Sequence, residues 1–341
     1  MSTTTKQWQM QDLGVDALQL REAPLREPGP GEVLVKVAAV SLNYRDLAMV
    51  QSGMGMKLDF PLVPGSDMAG TVVATGPGVQ RFGRGQRVIS TFWTQWLDGV
   101  IPPASTNGTA LGGPLPGVLS QYLVLHENCL VKAPETLDPL AASTLTCAGL
   151  TAWFALVETG QLQAGQQVLV QGTGGVALWG AQIAQALGAE VVLTSASEDK
   201  LARARELGVQ HTILRQPGGD WAAAVKAATG GQGVDQALEL VGGANLGKTL
   251  AALKIGGRVS VIGVLEGFEL SMPASLVLSV RPVIQGIGVG HRAALQRLVQ
   301  AVDQHGIQPV VDAVYDFADL KAAIAHVERG AFGKVVVRVG D

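Results

Sequence analysis

The segment Gly172-Thr-Gly-Gly-Val-Ala177 has the residue types and spacing to hold a pyrophosphate. Its small residues at 172, 174 and 177 fit a dinucleotide fingerprint with alanine in the third place. The first makes a tight turn, the second lets backbone approach phosphate, and the third lets a helix pack close on a strand. A helix starting there offers free N–H groups and the positive end of its dipole. The candidate contacts are therefore Gly172, Thr173, Gly174, Gly175 and Val176. A glycine-rich turn made only for packing is the competing reading. The surroundings favour the ligand: the apolar run Val168–Gln171 before, a helical pattern to Leu187-Gly188 after, then a second apolar run, Glu190–Ser195.

The tip of that second run bears on which dinucleotide is bound. A carboxylate about 20 residues past the loop would hold a ribose 2′-OH. Thr194-Ser-Ala-Ser-Glu-Asp-Lys200 has no acid at the strand end and offers Ser195, Ser197 and Lys200 instead. Hydroxyls and a cation suit a 2′-phosphate, so NADP(H) is expected over NAD(H). Ser197 also reads as a helix N-cap, with Glu198 and Asp199 in the first turn. The two uses employ different atoms.

These residues need a parallel sheet to position them. Strands are expected at 167–171, 190–195, 211–214, 235–241, 257–264 and 283–289, with helices between most of them. Alternation at that spacing gives a doubly wound α/β domain over residues 133–290. Before it, residues 1–132 read as short β segments (Glu32–Val40, Ala69–Thr75, Gln86–Ser90, Ser120–Leu125) parted by Pro/Gly turns. That pattern gives an antiparallel β domain of barrel type. Residues 291–341 carry helices near Ala293–His305 and Leu320–Arg329 and a strand, Lys334–Val339, expected to fold back onto the first block.

Composition excludes other classes. A chain of 341 residues exceeds one hydrophobic core. With 16% charged residues and a net charge of −3, it has no basic surface for nucleic acid or anionic membrane. The N-terminus lacks a signal-peptide core, and the longest apolar stretch, Ala274–Gly290, is cut by Arg281-Pro282. Cys129 and Cys147 are the only cysteines and form no CxxC, so a disulfide scaffold and a cysteine zinc site are both out. A soluble cytoplasmic protein is expected.

Several segments together resemble the medium-chain dehydrogenase/reductase superfamily, and its zinc-free branch in particular. They are Pro28–Val37, Ser41-Leu-Asn-Tyr-Arg-Asp46, Pro64-Gly-Ser-Asp-Met-Ala-Gly70, Val72–Val79, the Gly172 loop and Gly333-Lys-Val-Val-Val-Arg338. The match runs in order along nearly the whole chain; its nearest motifs are alcohol dehydrogenase-like and quinone oxidoreductase-like. It implies a GroES-like antiparallel β domain built from both chain ends, a Rossmann doubly wound parallel sheet between them, and substrate bound between the two.

Zinc-containing members place a cysteine ligand where this chain has Asn43, and Gly-His-Glu where it has Gly65-Ser66-Asp67. Residues 90–115, where a four-cysteine lobe would fall, hold no cysteine. Zinc prefers thiolate and imidazole, so no metal is expected. Another group must then stabilise charge on the substrate as hydride arrives. The resemblance carries over Asn43 as hydrogen-bond donor, Tyr44 as donor or proton source, and Asp67 as proton relay. Each has a structural alternative: Asn43 as cap of a helix starting at Tyr44, Tyr44 as packing, and Asp46 as partner of Arg45 or of a turn.

Enoyl thioester reductases of the superfamily have a proton-donating tyrosine where Gln51-Ser-Gly-Met-Gly55 has Met54. A thioether only lines a pocket. Carbonyl or quinone-like reduction is therefore expected, with reduction of an activated C=C bond, as in acrylyl-CoA-type enzymes, as the alternative. A third possibility is an NADP(H)-binding protein without significant turnover. Met54, Met56, Leu58, Phe60 and Trp93 favour a small hydrophobic substrate.

By position, Thr151 resembles the family threonine near the nicotinamide. Val241, Gly263 and Val264 end two strands at the sheet's carboxyl edge, and Lys334 is the Gly-Lys lysine expected at the cofactor. Cys147 reads as a small buried hydrophobe before a reactive thiol, and His291 as a helix-start residue before a substrate contact. The irregular segment Trp93–Gly117 either walls the substrate site through Trp93 and Trp96 or makes an intersubunit contact. The run 283–289 resembles the edge through which related proteins pair, implying a homodimer or a tetramer.

Overall fold

The computed structural model describes residues 3–103 and 108–340. The chain divides into two compact units, Met1–Leu150 with Gly290–Asp341, and Thr151–Val289. Seven strands open the chain: β1 (Thr4–Met10), β2 (Leu18–Pro24), β3 (Glu32–Leu42), β4 (Asp67–Thr75), β5 (Arg87–Ser90), β6 (Tyr122–His126) and β7 (Leu130–Lys132). The second unit supplies β8 (Gln167–Gln171), β9 (Glu190–Ser195), β10 (His211–Leu214), β11 (Val234–Glu239), β12 (Leu253–Val261) and β13 (Val283–Gly286). β14 (Val311–Asp316) and β15 (Lys334–Arg338) belong to the first unit again.

In the first unit the order is β14-β15-β3-β4-β5-β7, with β6 also on β3, and all pairs but β14/β15 are antiparallel. β3 is its spine. Val33, Val35 and Val37 alternate into a core shared with Met68, Val72, Val88 and Val335. Register decides where the polar residues go: Ser41 lies opposite Asp67, and Leu42 opposite Val335. The end of β3 and the starts of β4 and β15 therefore meet at one end of the sheet. β1 and β2 form a separate hairpin that the sequence reading did not include.

The first unit runs to Leu150, beyond the boundary expected at residue 132. The reason is packing: helix Pro139–Ala142 lies on β3 and β4, and the π-helical turn Leu145–Gly149 lies on β4 and β5.

In the second unit six parallel strands run β10-β9-β8-β11-β12-β13. The order reverses between β8 and β11, the switch point where such sheets bind ligands at their carboxyl ends. Leu169, Val192, Ala237 and Val259 form its core with Trp221 and Leu246. β11 stops at Glu239, before the expected 241, because the N–H groups of Val241 and Gly242 bond the Glu239 carboxylate rather than a strand. β12 stops at Val261, before the expected 264, where Ile262 and Gly263 both donate to Glu239 O. Among the described residues, no helix is long and apolar enough to cross a membrane.

Candidate functional site

Four chain segments bring a polar cluster together at the sheet end of the first unit. Asn43 follows β3 and starts the helix Tyr44–Ser52. It is the N-cap of that helix and forms a capping box with Asp46, as the structural alternative expected. The Lys334 ammonium donates to Asn43 Oδ1 at 2.6 Å and to Leu42 O at 2.6 Å. In the other half of that box Asp46 Oδ2 accepts the Asn43 N–H at 2.8 Å, so Asp46 has the structural role. Asn43 is buried; its Nδ2 makes no hydrogen bond of good geometry, although its side chain lies close enough to the Asp46 and Asp67 carboxyls to oppose the rise that burial gives both. An orphaned amide donor costs about 1–3 kcal/mol, which marks this atom as one a ligand would satisfy.

Asp67, the first residue of β4, has no exposed surface. Ser66 Oγ donates to its Oδ1 at 2.6 Å, and the Cys147 N–H donates to its Oδ2 at 2.9 Å. Burial pushes the Asp67 carboxyl up to about 6 against the pull of Lys334, while the Asp46 charge adds to the rise. Burial also raises Asp46, opposed chiefly by Arg45. Cys147 enters the cluster through its backbone. Burial and then the Asp67 charge push its thiol far up, so the thiolate of the reactive-thiol reading is disfavoured.

Tyr44 is 57% exposed at the start of its helix, in the same unit as Met54 at 45% and Met56 and Phe60 at 39%. Met54 projects from a left-handed Gly-Met-Gly turn with φ 51°. Arg45 turns the other way: it donates to Leu111 O at 2.9 Å and Gly113 O at 3.0 Å and lies 5.0 Å over the Phe92 ring. This clamp fixes the loop that follows residue 108. Sequence reasoning named Arg45 only as a partner of Asp46, from which it stands 3.6 Å away, and did not anticipate the clamp.

Thr106 and Asn107 of the irregular segment lie outside the described residues. Trp96 is buried, edge-on to His291 at 5.4 Å, and donates to Gly99 O. His291 is the N-cap of helix Arg292–His305, its Nδ1 accepting the Ala294 N–H at 2.9 Å.

In the second unit the Gly172 loop joins β8 to helix Gly175–Ala186. Gly172 has φ 83°, and a Cβ added at Gly172 or Gly174 would meet no atom within 4 Å. No side chain caps the helix. Open space beside bare backbone donors fits a pyrophosphate. Ala177 is buried as the close-packing residue, but the tightest approach is Gly180, where a Cβ would stand 2.4 Å from Leu238 Cδ1.

At the tip of β9, Ser195 Oγ accepts the Ser197 N–H at 3.2 Å, and Ser197 Oγ accepts the Lys200 N–H at 3.3 Å as N-cap of helix Glu198–Glu206. In these two bonds both hydroxyls accept, so each keeps its own proton to donate. Beside them, Arg215 donates its N–H to Ser195 O, and its buried Nε has no partner. The sequence reading did not include it. Position after β10, in register with β9, was the available signal.

Glu239 is the other residue the sequence did not single out. Fully buried, its carboxylate accepts from the Val241 and Gly242 N–H groups at 2.9 Å, Asn245 Nδ2 at 3.0 Å, Gln171 Nε2 at 3.2 Å and the Thr249 hydroxyl. The network ties the end of β8 to the loop after β11. Gly263 presses against that loop, since a Cβ there would lie 1.9 Å from Leu240 O. Thr151 is buried on helix Leu150–Trp153, and Val264 is half-buried after β12. Lys334, expected at the cofactor, has its ammonium on Asn43 and Leu42 of the first unit.

Residues 29–135 match the family described as alcohol dehydrogenase GroES-like domain, and residues 175–304 that described as zinc-binding dehydrogenase. A zinc-type alcohol dehydrogenase-like protein of Schizosaccharomyces pombe is 37% identical over 96% of each chain. The crystal structure of a putative alcohol dehydrogenase from Sinorhizobium meliloti 1021 is 52% identical, with a TM-score of 0.95 over 99% of this chain and 100% of that one. A 2-octenoyl-CoA carboxylase reductase in complex with NADP and 2-octenoyl-CoA is 25% identical, with a TM-score of 0.88 over 99% of this chain and 88% of that one.

Proposed function

The chain belongs to the medium-chain dehydrogenase/reductase superfamily and is an oxidoreductase, and from that premise we propose that it transfers hydride between NADPH and a hydrophobic aldehyde, ketone or quinone-like substrate without zinc. The observation that carries this reading is Asn43: a buried amide whose oxygen is held and whose Nδ2 makes no hydrogen bond of good geometry.

The family is NAD(P)-dependent, and the bound nicotinamide supplies the hydride. Gly172, Thr173, Gly174, Gly175 and Val176 are assigned to its pyrophosphate, and Ser195, Ser197 and Lys200 to a 2′-phosphate. Thr151, Val241, Gly263 and Val264 are assigned to its nicotinamide end. Two hydroxyls with free protons and the absence of an acid at the β9 tip support NADP(H). In carbonyl reduction the substrate oxygen gains negative charge as hydride reaches carbon, and Asn43 Nδ2 donates to that oxygen. Tyr44, exposed at its helix start, hands the oxygen a proton. Asp67 is fully buried and acts as a relay, its carboxyl raised to about 6 so that it takes up and releases a proton just below neutral pH.

The donor set supports zinc independence. Asn43 and Ser66 stand at ligand positions, and the Lys334 ammonium lies among them, where a divalent cation would be repelled. Among the described residues, no group of three His, Cys, Asp or Glu is arranged to hold a metal. The exposed edge strand β13, beside a helix showing Leu278 at 76% exposure, supports pairing of two copies through that edge.

Reduction of an activated C=C bond is the second reading, favoured by the likeness to the 2-octenoyl-CoA carboxylase reductase. Cinnamaldehyde with NADPH in EDTA separates the two. The unsaturated alcohol is the expected product. Saturated aldehyde would move the assignment to conjugate reduction, and activity restored only by zinc would refute zinc independence. No product from a panel of aldehydes, ketones and quinones would favour a cofactor-binding protein without turnover. Ser195→Ala with Ser197→Ala should weaken NADPH binding about tenfold and leave NADH unchanged; equal loss for both refutes the 2′-phosphate assignment.

A further inference from the structure

Lys334 has a peculiar position for a lysine. It is 3% exposed, at the first residue of β15, and its ammonium lies between one carbonyl and one amide oxygen. A buried ammonium needs compensating charge, and Asp67 and Asp46 of the same cluster supply it. Gly333 makes the approach possible: its φ is 93°, and a Cβ there would stand 2.4 Å from Val310 O. The β3–β15 ladder, with Val335 opposite Leu42, then holds the lysine beside Asn43.

We propose that Lys334 is a positioning residue for Asn43, fixing which end of that amide faces a ligand and strengthening its N–H as a donor. The inference rests on the reading of Asn43 as the group that meets the substrate oxygen. An ammonium has three donors and no acceptor. The amide atom at 2.6 Å must therefore be oxygen, and Nδ2 must point away from the lysine. A positive charge on the oxygen draws electron density through the amide and makes Nδ2–H a stronger donor, the cooperative strengthening expected where the dielectric is low. Glutamine at 334 offers a donor without the charge, and methionine offers neither.

Asn43→Ala, Lys334→Met and the double variant decide it, with single-turnover hydride transfer from NADPH to the substrate found above and NADPH affinity by nicotinamide fluorescence. Asn43→Ala should slow transfer about 100-fold, and Lys334→Met about tenfold or more with NADPH affinity unchanged. The double variant should be no slower than Asn43→Ala, because residues acting through one group are not additive. Lys334→Gln, which keeps a donor for Leu42 O, should fall between parent and Lys334→Met; if thermal melts show Lys334→Met unfolded, this variant is measured in its place. Weakened NADPH binding with normal transfer at saturation would make Lys334 a cofactor ligand and overturn the proposal. So would a double variant showing the product of the two single losses. If Asn43→Ala is slow and the Lys334 variants are not, this inference alone fails. If Asn43→Ala transfers hydride at the parent rate, the reading of Asn43 fails first.

Discussion

Replacing Asp67 with asparagine should make the protein more stable near neutral pH. The parent buries a carboxyl whose pKa rises from 3.8 to about 6, chiefly by desolvation. A folded value above the unfolded one means that the folded state binds more protons between about pH 4 and 6. The associated stability is full below that window and is lost as pH rises through it. A shift of about 2 units is worth about 3 kcal/mol, at roughly 1.4 kcal/mol per unit. Asparagine has the same shape and no charge. Its carbonyl oxygen can take the Cys147 N–H, and its NH2 can meet Ser66 Oγ once that hydroxyl rotates to accept. Urea unfolding of both proteins from about pH 4 to about pH 7.5 should give equal stabilities at the acid end. Near neutrality the variant should lead by about 3 kcal/mol. The other ionisable groups are common to both proteins and largely cancel in the difference. Parallel curves, or a variant less stable near neutrality, would refute the argument that desolvation outweighs Lys334 at this carboxyl.

Three further outcomes follow from contacts described above. Arg45→Met removes two carbonyl bonds and the stacking on Phe92 and should cost about 2–4 kcal/mol, read by urea unfolding. Glu239→Ala orphans the Val241 and Gly242 N–H groups and the Asn245 amide; it should cost roughly 3 kcal/mol or more and weaken NADPH binding in a fluorescence titration. Gly180→Ala forces a methyl against Leu238 and should cost about 1–3 kcal/mol by thermal melt, with NADPH affinity nearly unchanged.

The second unit was the more legible half. A parallel strand buried on both faces is a largely apolar run, so β8 and β9 begin and end where 167–171 and 190–195 suggest; the half-exposed edge strand β10 also matches 211–214. Strand ends were misplaced at β11 and β12, where the Glu239 carboxylate takes the N–H groups after β11 and the Glu239 main-chain carbonyl takes those after β12. Periodicity carries no record of such bonds. In the first unit β1 and β2 escaped notice, because a short polar–apolar alternation such as Lys6–Met10 is a weak signal by itself. At the site, motif residues Asn43, Asp46, Asp67 and Lys334 were visible one by one. Their meeting was not, since it depends on a register that pairs residues nearly three hundred positions apart. Arg215 and Glu239 lie outside any motif, and only neighbouring strands reveal what they do.

That long pairing has a consequence for assembly. Lys334 and Asn43 are 291 residues apart, and the whole of the second unit lies between them in the chain. Closing a flexible loop of that length costs roughly 5 kcal/mol of entropy beyond a constant. A ribosome extends the chain at about 5–20 residues per second, so the end of β3 waits on the order of 15–60 seconds before β15 exists. The second unit, contiguous in sequence and ending at Val289, is synthesised roughly 2–9 seconds earlier, and its folding shortens the loop that remains to be closed. The β3–β15 ladder is thus a late event in biosynthesis, and the chain can hold a finished nucleotide-binding sheet while the residues assigned to chemistry are still apart.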